Sequence, residues 1–271
     1  MKVISIINLK GGVGKTFTAH NMAYELYKRG YKVLVLDNDK QGNVSKALGK
    51  YGALGNCGAA RALTGKYTYA LDVITDVGAT NGVLDVITGN MSLMTATYQL
   101  AAETGNQLGR YKKLLETPIS NCEDGLPFPR TIRDWYDFMI IDNPPDIAFN
   151  VANALEITDE VIVPVKIDEW ALEGLEIIAQ QIETAKDINP NIQLLGALVT
   201  MYRNDDTNVA GLEWLEKNSP IQALAKIRYT PKAAESTFFM QPVYEYSPRC
   251  GAAQDYKNFV TAYLQAQKGG K

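Results

Sequence analysis

Lys10-Gly11-Gly12-Val13-Gly14-Lys15-Thr16 packs two ammonium groups, three glycines and a hydroxyl into one short loop. Glycines let a backbone curl until several N–H groups converge on one anion, and a helix beginning there adds partial positive charge. Lys15 supplies a point charge suited to β- and γ-phosphates, and the Thr16 hydroxyl a ligand for Mg²⁺. Two carboxylate clusters stand further along. Asp37-Asn38-Asp39-Lys40-Gln41-Gly42-Asn43 and Asp142-Asn143-Pro144-Pro145 each follow an apolar run. A buried strand that ends in Asp carries one carboxylate to a Mg²⁺ shell. A solvated turn or a capped strand end would explain either carboxylate cluster alone. Together with the glycine loop, the clusters point to Mg²⁺-dependent chemistry on a nucleoside triphosphate.

Such chemistry needs a scaffold that brings the three segments to one place. Val3 to Ile7 reads as a buried strand, and Lys15 to Arg29 as a helix with Ala19, Met22, Ala23, Leu26 and Tyr27 at helical spacing and Gly30 as its cap. Lys32 to Leu36 is a second apolar strand, so the first forty residues form a βαβ unit with a right-handed crossover. Val83 to Ile87, Phe138 to Ile141, Glu160 to Val165 and Leu194 to Thr200 read as further strands, and Trp170 to Asp187 as a helix closed by Asn189-Pro190. Asn121 to Arg130 reads as an exposed loop. The expected fold is α/β: a doubly wound, mostly parallel sheet with helices on both faces, in a single domain covering residues 1–271. Ligands of such sheets sit beyond the carboxyl ends of the strands, so the carboxylates after the second strand should face the phosphate loop.

The loop resembles the deviant Walker A loop of the ParA/MinD family, with Leu9 where the strict pattern has Gly and Lys10 as the extra lysine that marks the family. Asp37 to Asn43 is similar to the family's switch I segment, Asp-hydrophobic-Asp-Pro-Gln-Gly-Asn. Asp39 then matches the aspartate that positions or activates the hydrolytic water. Asn38 and Lys40 depart from the pattern, and loss of the proline implies a looser switch backbone. Asp142-Asn143-Pro144-Pro145 resembles the switch II Asp-Thr-Pro-Pro. Val163 to Gly174 resembles Pro-Val-Gln-x-Glu-Tyr-x-Ala-Leu-x-Gly, with Lys166 for Gln and Asp168 for Glu. Gly196 to Tyr202 is close to the segment flanking the adenine. Glu235 to Val243 is similar to Glu-Ala-Pro-Ser-Phe-Gly-Lys-Pro-Val, and Arg228-Tyr229-Thr230 replaces Pro-Arg-Asn where the backbone borders the base. Leu84 to Ala101 also resembles the family, whereas Glu103 to Asp134 does not.

The resemblance implies ATP and Mg²⁺ as cofactors and slow, partner-stimulated ATP hydrolysis. The implied catalytic residues are Lys10, Lys15 and Asp39, and the implied metal site is Thr16, Asp39 and Asp142. The implied nucleotide contacts are Lys10, Gly11, Gly12, Val13, Gly14, Lys15, Thr16, Phe17, Met201, Arg228 and Thr230. It further implies an ATP-dependent homodimer in which Lys10 acts on the partner's phosphates, a centromere-binding partner protein, and a role in DNA partition like that of the short Soj-like branch. The alternatives are a MinD-like positioning switch with protein or membrane cargo, and a reductase like the nitrogenase iron protein.

Composition bounds these readings. A net charge of −3 gives the chain no overall attraction for a polyanion. Non-specific DNA binding therefore needs a local patch, for which Lys226, Arg228, Lys232 and Arg249 are the candidates. Arg203 is a possible substitute beside the unfavourable Asp205-Asp206. Three scattered cysteines and one histidine, with no CxxC pair, give poor support to a thiolate metal site or a disulfide framework and suggest a cytoplasmic compartment. No apolar run reaches membrane-spanning length, and no membrane partner is expected. Tyr256, Phe259, Tyr263 and Leu264 recur at helical spacing, which fits core packing better than a membrane-targeting face. His20, one turn into the first helix, is expected to be packed rather than catalytic.

Overall fold

The computed structural model describes residues 1–80, 82–120, 130–168, 171–219 and 221–269. In chain order the elements are β1 (Lys2–Ile6), α1 (Lys15–Lys28), β2 (Val33–Asp37), α2 (Asn43–Ala47), α3 (Gly58–Leu63), β3 (Ile74–Asp76), β4 (Leu84–Ile87), α4 (Ser92–Ala102), α5 (Arg110–Glu116) and α6 (Ile132–Trp135). They continue with β5 (Phe138–Asp142), α7 (Phe149–Ile157), β6 (Glu160–Lys166), α8 (Ala171–Ala185), β7 (Gln193–Tyr202), α9 (Asp206–Asn218), β8 (Ala223–Arg228), α10 (Pro231–Phe238), α11 (Val243–Tyr246) and α12 (Gly251–Gly269).

Among the described residues the strands form one eight-stranded sheet in the order β3-β4-β2-β5-β1-β6-β7-β8. Every pairing is parallel except that of the edge strand β3 with β4. All five residues of β2 and of β5 are buried, as expected of central strands covered on both faces. The two-residue alternation then sorts side chains by face. Val3, Leu34, Leu36, Met139 and Ile141 pack with α3, α4 and α5, whereas Ile4, Ile6, Val33, Val35 and Ile140 pack with α1 and α12. Helices therefore cover both faces, as the sequence pattern predicts.

The described residues of α5 and α6, in the stretch 103–134 that does not match the family's pattern, contribute core rather than decoration. Tyr111, Leu114 and Leu115 of α5 and Ile132 of α6 are fully buried in the cluster that contains Leu36 and Met139. The expected loop at 121–130 falls almost wholly outside the described residues. In α12, Tyr256, Phe259 and Tyr263 are buried, each aromatic ring contributing about 1.5–3 kcal/mol of apolar burial. The Tyr256 and Thr18 hydroxyls are hydrogen-bonded at 2.8 Å, and the Tyr263 hydroxyl donates to Glu160 at 2.6 Å. The aromatic stripe is thus core. Among the described residues no helix is long and apolar enough to cross a membrane.

Register sets the site. Asp37 pairs with Asp142 across β2 and β5, and Ile6 pairs with Asp142 across β1 and β5. The carboxyl ends of three neighbouring strands therefore finish level, where the glycine loop, switch I and switch II begin.

Candidate nucleotide site

The loop from Lys10 to Thr16 leaves β1 and enters α1 through Gly14, whose φ of 90° lies in the left-handed region. Gly12 adopts φ 74°, and nothing lies within 4 Å of where a Cβ on Gly11 or Gly12 would project. The space over the loop is thus an open cradle, bounded by backbone that only glycine enters without strain. Asn8 braces it from below, donating to the Pro164 carbonyl at 2.7 Å and accepting the Lys10 amide at 2.9 Å. Thr200 braces it from β7 by donating to the Val13 carbonyl at 2.7 Å.

Lys15 is only 8 % exposed, and its ammonium donates to the Lys10 carbonyl at 2.8 Å. Burial lowers its pKa from the ordinary lysine value, and the charges of Asp142, Asp39 and Asp146 work against that shift. Lys10 points elsewhere, its Nζ ion-paired with Asp168 at the end of β6.

Asp142 is the most informative group of the site. It is 1 % exposed, and neither carboxylate oxygen has a hydrogen-bond partner in the protein. The Thr16 hydroxyl is near enough to ease its ionisation without meeting hydrogen-bond geometry. Burial, reinforced by the neighbouring Asp37 charge, raises the pKa well above the carboxylate range. An orphaned buried carboxylate beside a Thr hydroxyl fits a divalent cation, which would supply the missing partner. Among the described residues no group of three or more His, Cys, Asp or Glu side chains is arranged to hold a metal ion by itself. The donor set accordingly suits Mg²⁺, which keeps water and substrate phosphate as ligands and needs only one or two protein groups.

Of the carboxylates after β2, Asp39 lines the same cavity as Gly11, Lys15 and Thr16, whose volume is about 860 Å³. Asp39 is 7 % exposed, and its side chain closes a turn by accepting the Gln41 amide at 2.9 Å. Asp37 does not face the loop as expected. It is wholly buried and turned to α2, where one oxygen accepts the Ser45 hydroxyl at 2.6 Å and the Ser45 amide at 2.8 Å. Burial raises its pKa to about 6, with the Ser45 bonds opposing the shift. Gly42 must be glycine here, because a Cβ would lie 2.5 Å from the Gly89 carbonyl oxygen at a φ of 64°. Two contacts tie the switch backbone where the proline is lost. Lys40 is ion-paired with Asp146 of switch II at 3.1 Å, and the Gly42 amide donates to the Asp39 carbonyl at 2.9 Å.

A second, apolar cavity of about 240 Å³ adjoins the first and shares Gly14, Phe17, Met201 and Thr237 with it. Arg228, Tyr229, Thr230, Ala233 and Tyr256 are among the other residues of its wall, so Met201, Arg228 and Thr230 line one cavity. Tyr229 lies in the segment that the sequence places beside the base, whereas Ala233 and Tyr256 carry no sequence signal as lining residues, because they come from α10 and α12. Met201 holds φ 53°, a conformation uncommon for a non-glycine residue, at the boundary of the two cavities.

The proposed basic residues are less concentrated than their number suggests. Arg228 makes a bidentate pair with Asp255, with contacts of 2.8–3.1 Å, and Lys232 is paired with Glu235 at 2.7 Å. Lys226 lies 4.8 Å from the Tyr202 ring, and Arg249 is exposed. Asp205 caps α9 by accepting the Asn208 amide at 2.9 Å, which gives that carboxylate a structural role. His20 is 5 % exposed, and burial lowers its pKa to about 4.

Fold and site together define a P-loop ATPase. Residues 1–194 match the family described as an AAA domain. The chromosome-partitioning ATPase Soj of Thermus thermophilus is 30% identical over 95% of this chain and 93% of its own. The chromosome partitioning protein ParA of Caulobacter vibrioides is 29% identical over 99% and 96%. Cobyrinic acid a,c-diamide synthase from Mycobacterium smegmatis, solved with bound ATP analog and magnesium, superimposes with a TM-score of 0.79 at 25% identity, covering 100% of this chain and 97% of that one. The chain belongs to the ParA/Soj family of deviant Walker A P-loop ATPases.

Proposed function

We propose that this chain, as a single ATPase unit, is a partition ATPase of the Soj type that moves DNA cargo in the cytoplasm. The observation that carries the reading is one cavity lined by Lys15, Thr16 and Asp39, with the unpartnered Asp142 carboxylate buried beside Thr16. It occurs in a chain that aligns along almost its whole length with chromosome-partitioning relatives.

Lys15 and the loop amides hold the β- and γ-phosphates, Thr16 and Asp142 hold the cation, and Asp39 orients the attacking water. Bound Mg²⁺ neutralises charge on the phosphate oxygens. Phe17, Met201 and the β8–α10 segment enclose the base. Lys10 acts in trans within an ATP-dependent homodimer, stabilising charge on the phosphoryl group held by the partner. Hydrolysis removes that bridging charge and releases the two chains. The dimer binds DNA without sequence preference through paired basic surfaces, and a centromere-binding partner stimulates turnover.

The test is retention on a DNA-coated surface in the presence of ATP and then of ADP. Retention with ATP alone, weakening steeply with salt, is the expected result. No ATP-dependent retention even at low salt would replace DNA with a protein cargo.

A further inference from the structure

Two departures from the family's switch segments, Asn38 and Asn143, touch each other. Asn38 is wholly buried, and its Nδ2 donates to Asn143 Oδ1 at 2.9 Å and to the Asn150 carbonyl at 3.2 Å. Its Oδ1 accepts the Tyr111 hydroxyl at 2.8 Å, and its backbone carbonyl accepts Asn150 Nδ2 at 2.9 Å. Its amide donates to the Asp142 carbonyl at 3.0 Å. Every polar group of Asn38 thus has a partner, and those partners lie at the end of β5, in switch II, on α7 and on α5. A buried amide costs free energy unless it is fully paired, and a fully paired one holds a single geometry.

What that geometry holds is the backbone between the two aspartates of switch I. Asp37 on one side is fixed to α2 through Ser45, and Asp39 on the other lines the phosphate cavity. A hydrophobic residue at position 38 would pack there without specifying rotation about the strand end. Asn38 specifies it by hydrogen bonds in several directions. Asn143 in turn is tied to β1, its amide donating to the Ile6 carbonyl at 3.2 Å. Tyr111 is fully buried, and α5 is anchored on α7 where the Arg110 amide donates to Asn153 at 2.9 Å.

We infer that Asn38, clamped by Asn143, Asn150 and Tyr111, is a positioning residue for ATP hydrolysis that sets Asp39 against the attacked phosphate and couples the two switches to α5. The inference rests on the reading of Asp39 as the water-orienting residue. It gives α5 a task that nothing in its resemblance to other proteins suggested. The Tyr111 hydroxyl is the donor through which that helix holds Asn38 in switch I.

The experiment uses the full-length protein with Mg-ATP and without DNA or partner protein, so its outcome is independent of the partition reading. Tyr111→Phe deletes one oxygen from a buried ring and leaves the packing in place. It should lower kcat about tenfold, the scale of one neutral hydrogen bond, with KM within about twofold of the parent. Asn143→Ala should do the same, and the two together should cost less than the product of their separate effects, because both act through Asn38. In an Asp39→Ala background, Tyr111→Phe should have no further effect on single-turnover hydrolysis. A parental kcat for Tyr111→Phe would overturn the inference, as would a raised KM with kcat unchanged. So would the same tenfold loss in the Asp39→Ala background, which would trace the effect to the fold. If Asn143→Ala fails to fold, Tyr111→Phe alone decides.

Discussion

Lys10 and Asp168, the residues on which this chain's family mark and its replacement of a family glutamate fall, are ion-paired within one chain. Their side chains are 41% and 31% exposed. A pair so exposed contributes only about 0–1 kcal/mol, so moving Lys10 to another anion costs little. If Lys10 acts in trans as proposed, Asp168 is the partner it leaves. Lys10→Ala should therefore keep ATP affinity and lose ATP-dependent dimerisation, stimulated hydrolysis, or both. Light scattering with and without ATP reads the first, and mixing with Asp39→Ala subunits tests action in trans. Full activity of Lys10→Ala alone would reduce it to an ordinary loop residue.

Lys15→Ala should abolish ATP binding. It removes the buried ammonium and leaves the glycine cradle without its point charge. Isothermal titration is the measurement, and unchanged affinity would sink the phosphate-site assignment.

Asp39→Ala should leave ATP and Mg²⁺ bound and slow turnover by roughly 10²-fold or more, the scale of losing a group that positions the nucleophile. A stable ATP-bound dimer should accumulate. Hydrolysis at the parental rate would remove Asp39 from the chemistry.

His20 makes the stability of the ligand-free protein depend on pH. Its folded pKa, about 4, lies below the unfolded value of 6.5, so the unfolded chain takes up the proton first. Its contribution is complete above about pH 6.5 and is lost as pH falls towards 4, amounting to about 3 kcal/mol. In denaturant titrations between pH 7 and pH 4, the parent should lose about that much more stability than His20→Leu does. Parallel curves would contradict the assignment.

On DNA, Arg249→Glu and Lys226→Glu should weaken ATP-dependent retention more than Arg228→Glu does, because Arg228 is already neutralised by Asp255. The salt slope should fall by about 0.9 for each phosphate that the variant no longer neutralises. Equal weakening by all three substitutions would mean that the Asp255 pair opens on binding.

The parts of this chain legible in its sequence are those where one signal dominates. β1, β2 and β5 are unbroken apolar runs, and the observed strands agree within a residue or two at each end. The carboxylates at their ends were placed by the same signal, because a parallel sheet brings carboxyl ends together. β8 escaped notice because Ala223–Arg228 is a half-exposed edge strand with only Ile227 buried. α7 and α5 are short, and their polar residues Asn150, Asn153 and Tyr111 carry no periodicity. Asn38 and Lys40 read as weak points of switch I because their partners, Asn143 and Asp146, lie more than a hundred residues away. Local pattern cannot display a bond whose two ends are so far apart.

The Thr18–Tyr256 hydrogen bond joins the helix of the phosphate loop to α12 across 238 residues. Arg29 extends the same clasp, donating to the Thr261 hydroxyl at 2.8 Å. During synthesis the loop and α1 leave the ribosome well before α12, the helix that packs on them. Long sequence separation of this kind delays closure of a fold. Until α12 has been made and packed, the wall of the apolar cavity that Tyr256 supplies is missing, so that cavity cannot close around a ligand before α12 folds.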